Sequence, residues 1–246
     1  MDMAAFSGAL ELPRASQLAA LGERAPRWRP GLASAAHSEI FSCGHEGSGA
    51  AAALALALDG LRAREGEEQR QEERSVLWVQ EERAMRLTGR PYRPGLPQAL
   101  RHRLIHVAAK NCEDALFALE EGLRCRDLAC VVGEIAGNPR ALDFTASRRL
   151  SLTAEKHGVP LFLVRVDAAR DLSAARMRWQ VAAAPSRAPR WNESAPGRGS
   201  WHAELFRARA HAPGEWILRD EEHILAAERC RAETPDPVDL AGAAGA

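Results

Sequence analysis

The sequence predicts an α/β fold, in which a mostly parallel central sheet is flanked by helices and extended by antiparallel strands towards the C-terminus. Two patterns predict this fold. From about residue 38 to residue 167, short apolar runs alternate with amphipathic stretches of helical length, which is typical of βαβ units. After Asp167, three extended segments follow one another without a long helix between them, which is typical of antiparallel strands.

Three regions are predicted along the chain. Residues 1–32 form an N-terminal helix and linker, because a short leucine and alanine pattern is broken by Pro13, Pro26 and Pro30. Residues 33–222 form the α/β core. Residues 223–246 form a C-terminal helix or tail that is disordered at its end, since the last residues show no apolar period.

The core begins with a strand, a glycine loop and a helix. SEIFS predicts a strand from Ser38, GHEGSG predicts the loop, and AAALALALDG predicts a helix that ends at Gly60. The charged residues 62–74 are expected to form a solvated helix end or loop. SVLWVQ then gives an apolar run that is typical of a strand buried on both faces.

The strand and helix pattern continues to residue 166. RLIHVAAK predicts a strand, and NCEDALFALEEGLRCRD predicts a helix with Asn111 as its N-cap. LACVVGEI predicts a strand, followed by a helix that ends at His157 and Gly158, and VPLFLVRV predicts the next strand. MRWQVAAAP, WHAELFRARA and GEWILRDEE are the three predicted antiparallel strands.

The composition limits the function. Because 33 Lys plus Arg residues balance 33 Asp plus Glu residues, any contact with DNA must be a local patch. The five cysteines form no C-x-x-C pair, which argues against a disulfide framework and a zinc knuckle. Asp2 stands where a signal peptide would be basic, and residues 50–58, the longest apolar run, are too short to span a bilayer. We therefore expect a cytoplasmic protein with no membrane partner, no cofactor and no metal.

The glycine loop has the frame of a phosphate-binding loop without its reactive residues. Such a loop needs a Lys for the β- and γ-phosphates and a Ser or Thr for magnesium, but Ala50 and Ala51 stand at these positions. In LACVVGEI, the acid Glu134 comes one residue later than a magnesium-binding acid would, which turns it to the opposite face of the strand. A plain strand-to-helix turn is the alternative interpretation. The predicted degenerate, inactive loop consists of Gly44, Glu46, Ser48, Gly49, Ala50 and Ala51.

The order of these segments resembles the RecA core. The segments that carry the resemblance are SEIFSCGHEGSG, SVLWVQEERA, NCEDALFALEEGLRCRDLACVVGEI and RRLSLTAEKHGVPLFLVR. More closely, FTASRRLSLTAEKHGVPLFLVR, RMRWQVAAAPS and WHAELFRARAHAPGEW resemble the ImuA family, RecA- and SulA-related proteins of the bacterial damage-inducible mutagenesis cassette. The resemblance spans roughly residues 13–222 and implies a RecA-like core.

The resemblance implies an accessory, non-enzymatic role in translesion synthesis and mutagenesis during the SOS response to DNA damage. The expected partners are an ImuB-like polymerase-related protein, RecA and further copies of the chain. By position, Glu81 or Glu82 matches the catalytic glutamate of RecA and is interpreted as vestigial, with a solvated acidic loop as the alternative. Two other functions remain open: a DNA-stimulated ATPase that uses Lys110, and a SulA-like inhibitor of cell division.

Two further sets of residues are candidates for contacts with partners. Trp191, in the Pro- and Arg-rich residues 186–200, is the candidate contact with a protein, whereas Trp179 and Trp201 are expected to pack in the sheet. A local basic patch is the candidate contact with DNA phosphates, and solvated or ion-paired arginines are the alternative. The residues of this patch are Arg148, Arg149, Arg176 and Arg178.

Overall fold

The computed structural model describes residues 36–68, 72–221 and 224–230. The predicted N-terminal helix and linker lie outside the described residues, as does the end of the predicted C-terminal tail. The strands are β1 (His37–Ser42), β2 (Ser75–Glu81), β3 (Leu104–Ala109), β4 (Leu128–Ala136), β5 (Leu161–Val166), β6 (Met177–Ala183), β7 (Ser200–Ala208), β8 (Gly214–Glu221) and β9 (Ile224–Arg229). The helices are α1 (Ser48–Glu68), α2 (Glu82–Thr88), α3 (Gln98–Arg101), α4 (Cys112–Arg124) and α5 (Phe144–His157), with a 3-10 turn at Arg93–Gly95.

All nine of these strands form one sheet, in the order β3-β2-β4-β5-β1-β6-β7-β8-β9. All pairs among β1 to β6 are parallel, whereas the pairs β6-β7, β7-β8 and β8-β9 are antiparallel. The predicted α/β fold class is therefore confirmed, and the architecture is consistent with a RecA-like core.

The three segments predicted as antiparallel strands pair antiparallel with one another, β6 with β7 and β7 with β8. Strand β6 also joins the parallel part of the sheet, because it runs parallel to β1, with Met177 opposite Ser38. Strand β1 lies between β5 and β6. Residues 167–176 carry the chain from the end of β5 across β1 and back to the starting end of the sheet, so the next strand enters in the same direction.

Two element boundaries differ from the prediction. Helix α1 was expected to end at Gly60 but continues to Glu68. Because Leu61 is buried against the sheet, its packing outweighs the cost of about 1 kcal/mol for a glycine inside a helix. The segment predicted as a C-terminal helix or tail contains strand β9, whose buried Leu225 donates its backbone N–H to Asp59 Oδ1 on α1 at 3.3 Å.

Two apolar layers cover the two faces of the sheet. Helix α1 packs on one face against a layer that contains Trp78, Trp179, Trp201 and Trp216. Helices α4 and α5 pack on the other face against leucines and valines of β4 and β5. Trp179 and Trp201 are both buried in the sheet, as the sequence predicted.

A buried histidine lies between β1 and α5. His37 is fully buried, and its Nδ1 lies 2.7 Å from Ser151 Oγ on α5. Burial lowers the pKa of His37 to about 4, and the positive charges of Arg176, Arg178 and Arg165 act in the same direction. His37 is therefore neutral in the folded protein at neutral pH.

We predict that this histidine makes the fold sensitive to acid. Between pH 6.5 and about 4, His37 takes up a proton in the unfolded chain but not in the folded one, so the free energy of unfolding falls as the pH falls. The full loss is about 3 kcal/mol. Urea unfolding at a series of pH values should show a flatter pH dependence for His37→Gln. The exposed control His45→Gln should keep the slope of the original protein, and an unchanged slope in His37→Gln would contradict the prediction.

Candidate functional site

The glycine loop lies at the carboxyl end of β1, as the sequence predicted. Strand β1 ends at Ser42, and α1 begins at Ser48. Helix α1 starts very close to the sheet, because a side-chain carbon at Gly49 would lie 2.7 Å from Ser42 Cβ and 2.9 Å from Val164 Cγ1. Gly49 is therefore required by the packing of α1 on β1 and β5, whether or not a nucleotide binds.

An internal carboxylate already uses one backbone amide of the loop. Gly44 donates its backbone N–H to Asp167 Oδ1 at 2.8 Å. Asp167 follows β5, has a φ of 49°, and donates its own N–H to the carbonyl of Ser42 at 3.0 Å. A side-chain carbon at Gly44 would lie 2.6 Å from Asp167 Oδ2. The carboxylate of Asp167 thus accepts the backbone N–H that would bind an anion in a phosphate-binding loop.

A second carboxylate ties the loop to β6. Glu46 Oε2 accepts a hydrogen bond from the backbone N–H of Ala183 at 2.8 Å and lies 3.4 Å from the hydroxyl of Ser48. Ser48 is buried, whereas Ala51 is exposed at the start of α1. Residues 43–51 contain neither Lys nor Arg. Two carboxylates without a cation of the loop itself oppose the approach of a triphosphate.

The other residues predicted to belong to a nucleotide site lie away from this loop. Lys110 follows β3, which is four strand spacings from β1, or about 19 Å. Glu81 accepts a hydrogen bond from the backbone N–H of Ala136 at 3.0 Å. Glu82 forms an ion pair with Arg86 within α2. The structure therefore does not bring Lys110 to the glycine loop.

Glu134 is an internal hydrogen-bond acceptor. Its carboxylate accepts from Trp78 Nε1 at 2.6 Å, Gln80 Nε2 at 3.0 Å and Thr88 Oγ1 at 2.7 Å. Burial raises the pKa of Glu134, while these hydrogen bonds favour its charged form. All three partners belong to β2 or α2, on the side of β4 that faces away from β1. On β4, Glu134 lies on the same face as Cys130 and Val132 of the layer that packs against α1, so its carboxylate is displaced along the sheet towards β2 rather than turned to the face opposite α1.

The structure separates the four arginines of the predicted basic patch. Arg178 is buried and pairs with Glu39 at 2.8 Å, so it cannot be part of a surface patch. Arg149 pairs with Glu120 at 2.6 Å. Arg148 and Arg176 line one groove of the surface.

A basic groove lies between α5, residues 173–176 and the end of β7, and it encloses about 490 Å³. Four arginines line it: Arg148, Arg176, Arg207 and Arg209. Arg176 pairs with Glu155 at 2.5 Å, and this hydrogen bond lowers the pKa of Glu155. The other three arginines are exposed and make no ion pair with any residue that the structure describes. Sequence reasoning missed Arg207 and Arg209, since only the pairing of β6 with β7 brings them to this groove.

Comparison with known proteins identifies the family. No family model matches the chain. Protein ImuA of Caulobacter vibrioides, from strain NA1000 / CB15N and equally from strain ATCC 19089 / CIP 103742 / CB 15, is 33% identical to this chain over 202 residues. The match covers 75% of this chain and 74% of the Caulobacter protein. The chain belongs to the ImuA family.

Membership of the ImuA family supports a role in the damage-inducible mutagenesis cassette. It also supports a partnership within the ImuA and ImuB cassette. Among the residues with described positions, none of the helices has the length and apolar character needed to cross a membrane.

The candidate protein contact of this ImuA-family chain is well exposed. The side chain of Trp191 is 80% exposed, in the segment between β6 and β7. It borders a surface cavity of about 550 Å³ together with Pro189, Arg190 and Arg198. An exposed aromatic side chain beside arginines is the type of residue that dominates binding at protein interfaces.

Proposed function

We propose that this chain is an accessory protein of damage-induced translesion synthesis that acts through protein contacts, without efficient hydrolysis of ATP. The observation that carries the proposal is the composition of the glycine loop. Ala50 and Ala51 stand where a phosphate-binding loop has its Lys and its Ser or Thr, and the backbone N–H of Gly44 already donates to Asp167 Oδ1. A missing lysine removes a charge-assisted interaction of about 1.5–3 kcal/mol with a bound triphosphate. The absence of the lysine costs more free energy in the transition state of phosphoryl transfer.

The position of Lys110 argues against the alternative of a DNA-stimulated ATPase. A lysine side chain cannot reach across four strand spacings to the loop. Glu134 is the acid nearest in sequence to a magnesium-binding position. Its carboxylate already accepts hydrogen bonds from the side chains of Trp78, Gln80 and Thr88. The accessory role is therefore the function that the geometry favours.

The proposed partners are an ImuB-like protein, RecA and further copies of this chain, in the cytoplasm. Trp191 is the proposed contact with the ImuB-like protein, because it is exposed and lies outside both apolar layers. The exposed side chain leaves its whole ring free to be buried by a partner, and burial of an aromatic ring contributes much of the binding energy at an interface.

A second proposed contact is with single-stranded DNA, at the basic groove. Arg148, Arg207 and Arg209 offer guanidinium groups that can each meet a phosphate. Phe144, at the first position of α5, lines the same groove and is half exposed, so its ring can stack on a base. Charge and an aromatic ring in one groove are the two features that bind single strands without sequence preference.

We predict no magnesium-dependent binding of ATP to the purified chain, because the loop offers neither an ammonium group nor a hydroxyl at residues 50 and 51. Isothermal titration calorimetry with ATP, with and without magnesium, checks this. Release of phosphate in the presence of single-stranded DNA should also stay at background. Hydrolysis that is abolished in Lys110→Ala would contradict the proposal and favour the ATPase.

Trp191→Ala should weaken binding to the ImuB-like partner by about 2 kcal/mol or more, as expected of an interfacial tryptophan. The melting temperature should not change, since an exposed side chain contributes little to folding. Binding is measured by surface plasmon resonance and melting by calorimetry. Tyr92→Ala removes another exposed aromatic ring and should leave binding intact. A parallel loss of binding and stability in Trp191→Ala would argue against a contact role.

Arg148→Ala and Arg207→Ala should each weaken binding of a single-stranded oligonucleotide, measured by fluorescence anisotropy. The slope of log K against log salt concentration should become shallower by about 0.7 for each lost phosphate contact. Arg126→Ala, an exposed arginine outside the groove, should behave like the original protein. If all three variants show the original affinity and slope, the groove does not bind DNA.

A further inference from the structure

Three potential metal ligands converge on the sheet where no metal was expected from the sequence. They are His202 on β7, Glu215 on β8 and Cys230, directly after β9. One ligand atom from each lies within 4.8 Å of the other two, and His202 Nε2 is 3.1 Å from Glu215 Oε2. A metal ion at their centre would need only small side-chain movements to reach all three.

The register of the antiparallel strands places these side chains on one face of the sheet. His202 is opposite Ile217, two residues from Glu215, so His202 and Glu215 are diagonal neighbours. Cys230 donates its backbone N–H to the carbonyl of Glu215 at 2.9 Å, which puts the two residues opposite each other. Alternate residues of a strand point to opposite faces. This face is therefore the one opposite to the apolar layer of Trp201 and Trp216.

We propose that His202, Glu215 and Cys230 form a zinc site on the outer face of β7, β8 and β9. Imidazole nitrogen, thiolate sulfur and carboxylate oxygen are the ligands that Zn²⁺ takes in proteins. The thiolate and the imidazole favour Zn²⁺ over Mg²⁺ or Ca²⁺, which prefer oxygen. On binding, the Cys230 thiol loses its proton to solvent, and the two anionic ligands then balance the charge of the ion.

Three protein ligands leave the fourth tetrahedral position of the ion open. His202 and Glu215 are both more than one third exposed, so water can fill this position. The cysteine is free to serve as a ligand, since Cys230 forms no disulfide with any described cysteine. The ion would join three successive strands at the end of the sheet that lies farthest from β3.

The test uses the whole chain, stripped with a chelator and then titrated with Zn²⁺ in competition with a chromophoric chelator. We expect one equivalent of Zn²⁺ to bind. Cys230→Ser and His202→Ala should each weaken binding by at least roughly tenfold. Co²⁺ in place of Zn²⁺ should give a thiolate-to-cobalt charge-transfer band that is absent in Cys230→Ser. Cys125→Ser removes an exposed cysteine elsewhere and should keep both the affinity and the band.

Circular dichroism of the metal-free proteins separates loss of the site from loss of the fold. Glu215→Gln provides a third variant, which preserves the size of the side chain and should also weaken binding. Absence of stoichiometric Zn²⁺ binding would overturn the proposal. Binding that survives in folded Cys230→Ser and His202→Ala would overturn it as well, because the His202 and Glu215 contact would then be an ordinary cross-strand hydrogen bond.

Discussion

The buried ion pair between Glu39 and Arg178 links β1 to β6, the two strands at which β1 to β5 meet β6 to β9. Glu39 on β1 is fully buried, and its carboxylate accepts hydrogen bonds from Arg178 Nε on β6 and from Ser173 Oγ, both at 2.8 Å. Arg165 on β5 lies 3.7 Å away and is also buried. Loss of Glu39 would leave two buried guanidinium groups without this anion, and breaking a buried pair in this way costs about 3–5 kcal/mol.

This cluster fixes residues 167–176, the segment that connects β5 to β6. Asp171 pairs with Arg165 at 3.4 Å, and Ser173 bonds to Glu39. At one end of the segment, Asp167 accepts the amide of Gly44, and at the other end Arg176 lines the basic groove. The geometry of the glycine loop and that of the groove therefore depend on the same buried charges, although the two sites lie on different parts of the surface.

Local patterns predicted most of the parallel half of the sheet. The runs that became β2 to β5 are largely apolar and bounded by turn residues, and Asn111 caps α4 by accepting the N–H of Asp114 at 2.8 Å. The placement of β6 beside β1 was not predicted, because it depends on where residues 167–176 lead the chain. Arg207 and Arg209 join Arg148 in the groove, and His202 lies near Cys230, only because of the pairing of distant strands. No short sequence motif predicts this pairing.

The orientation of Glu134 has a consequence for stability. Substituting lysine at residue 50 and threonine at residue 51 would give the sequence of a phosphate-binding motif. The carboxylate of Glu134 on β4 would still accept hydrogen bonds from Trp78 and Thr88. Sliding β4 by one residue would turn Val131 and Ile135 out of their apolar layer, and every intermediate sequence would carry that loss. Substitutions on the surface of this sheet therefore cost less stability than a change that would bring an acid of β4 into a magnesium site at the glycine loop.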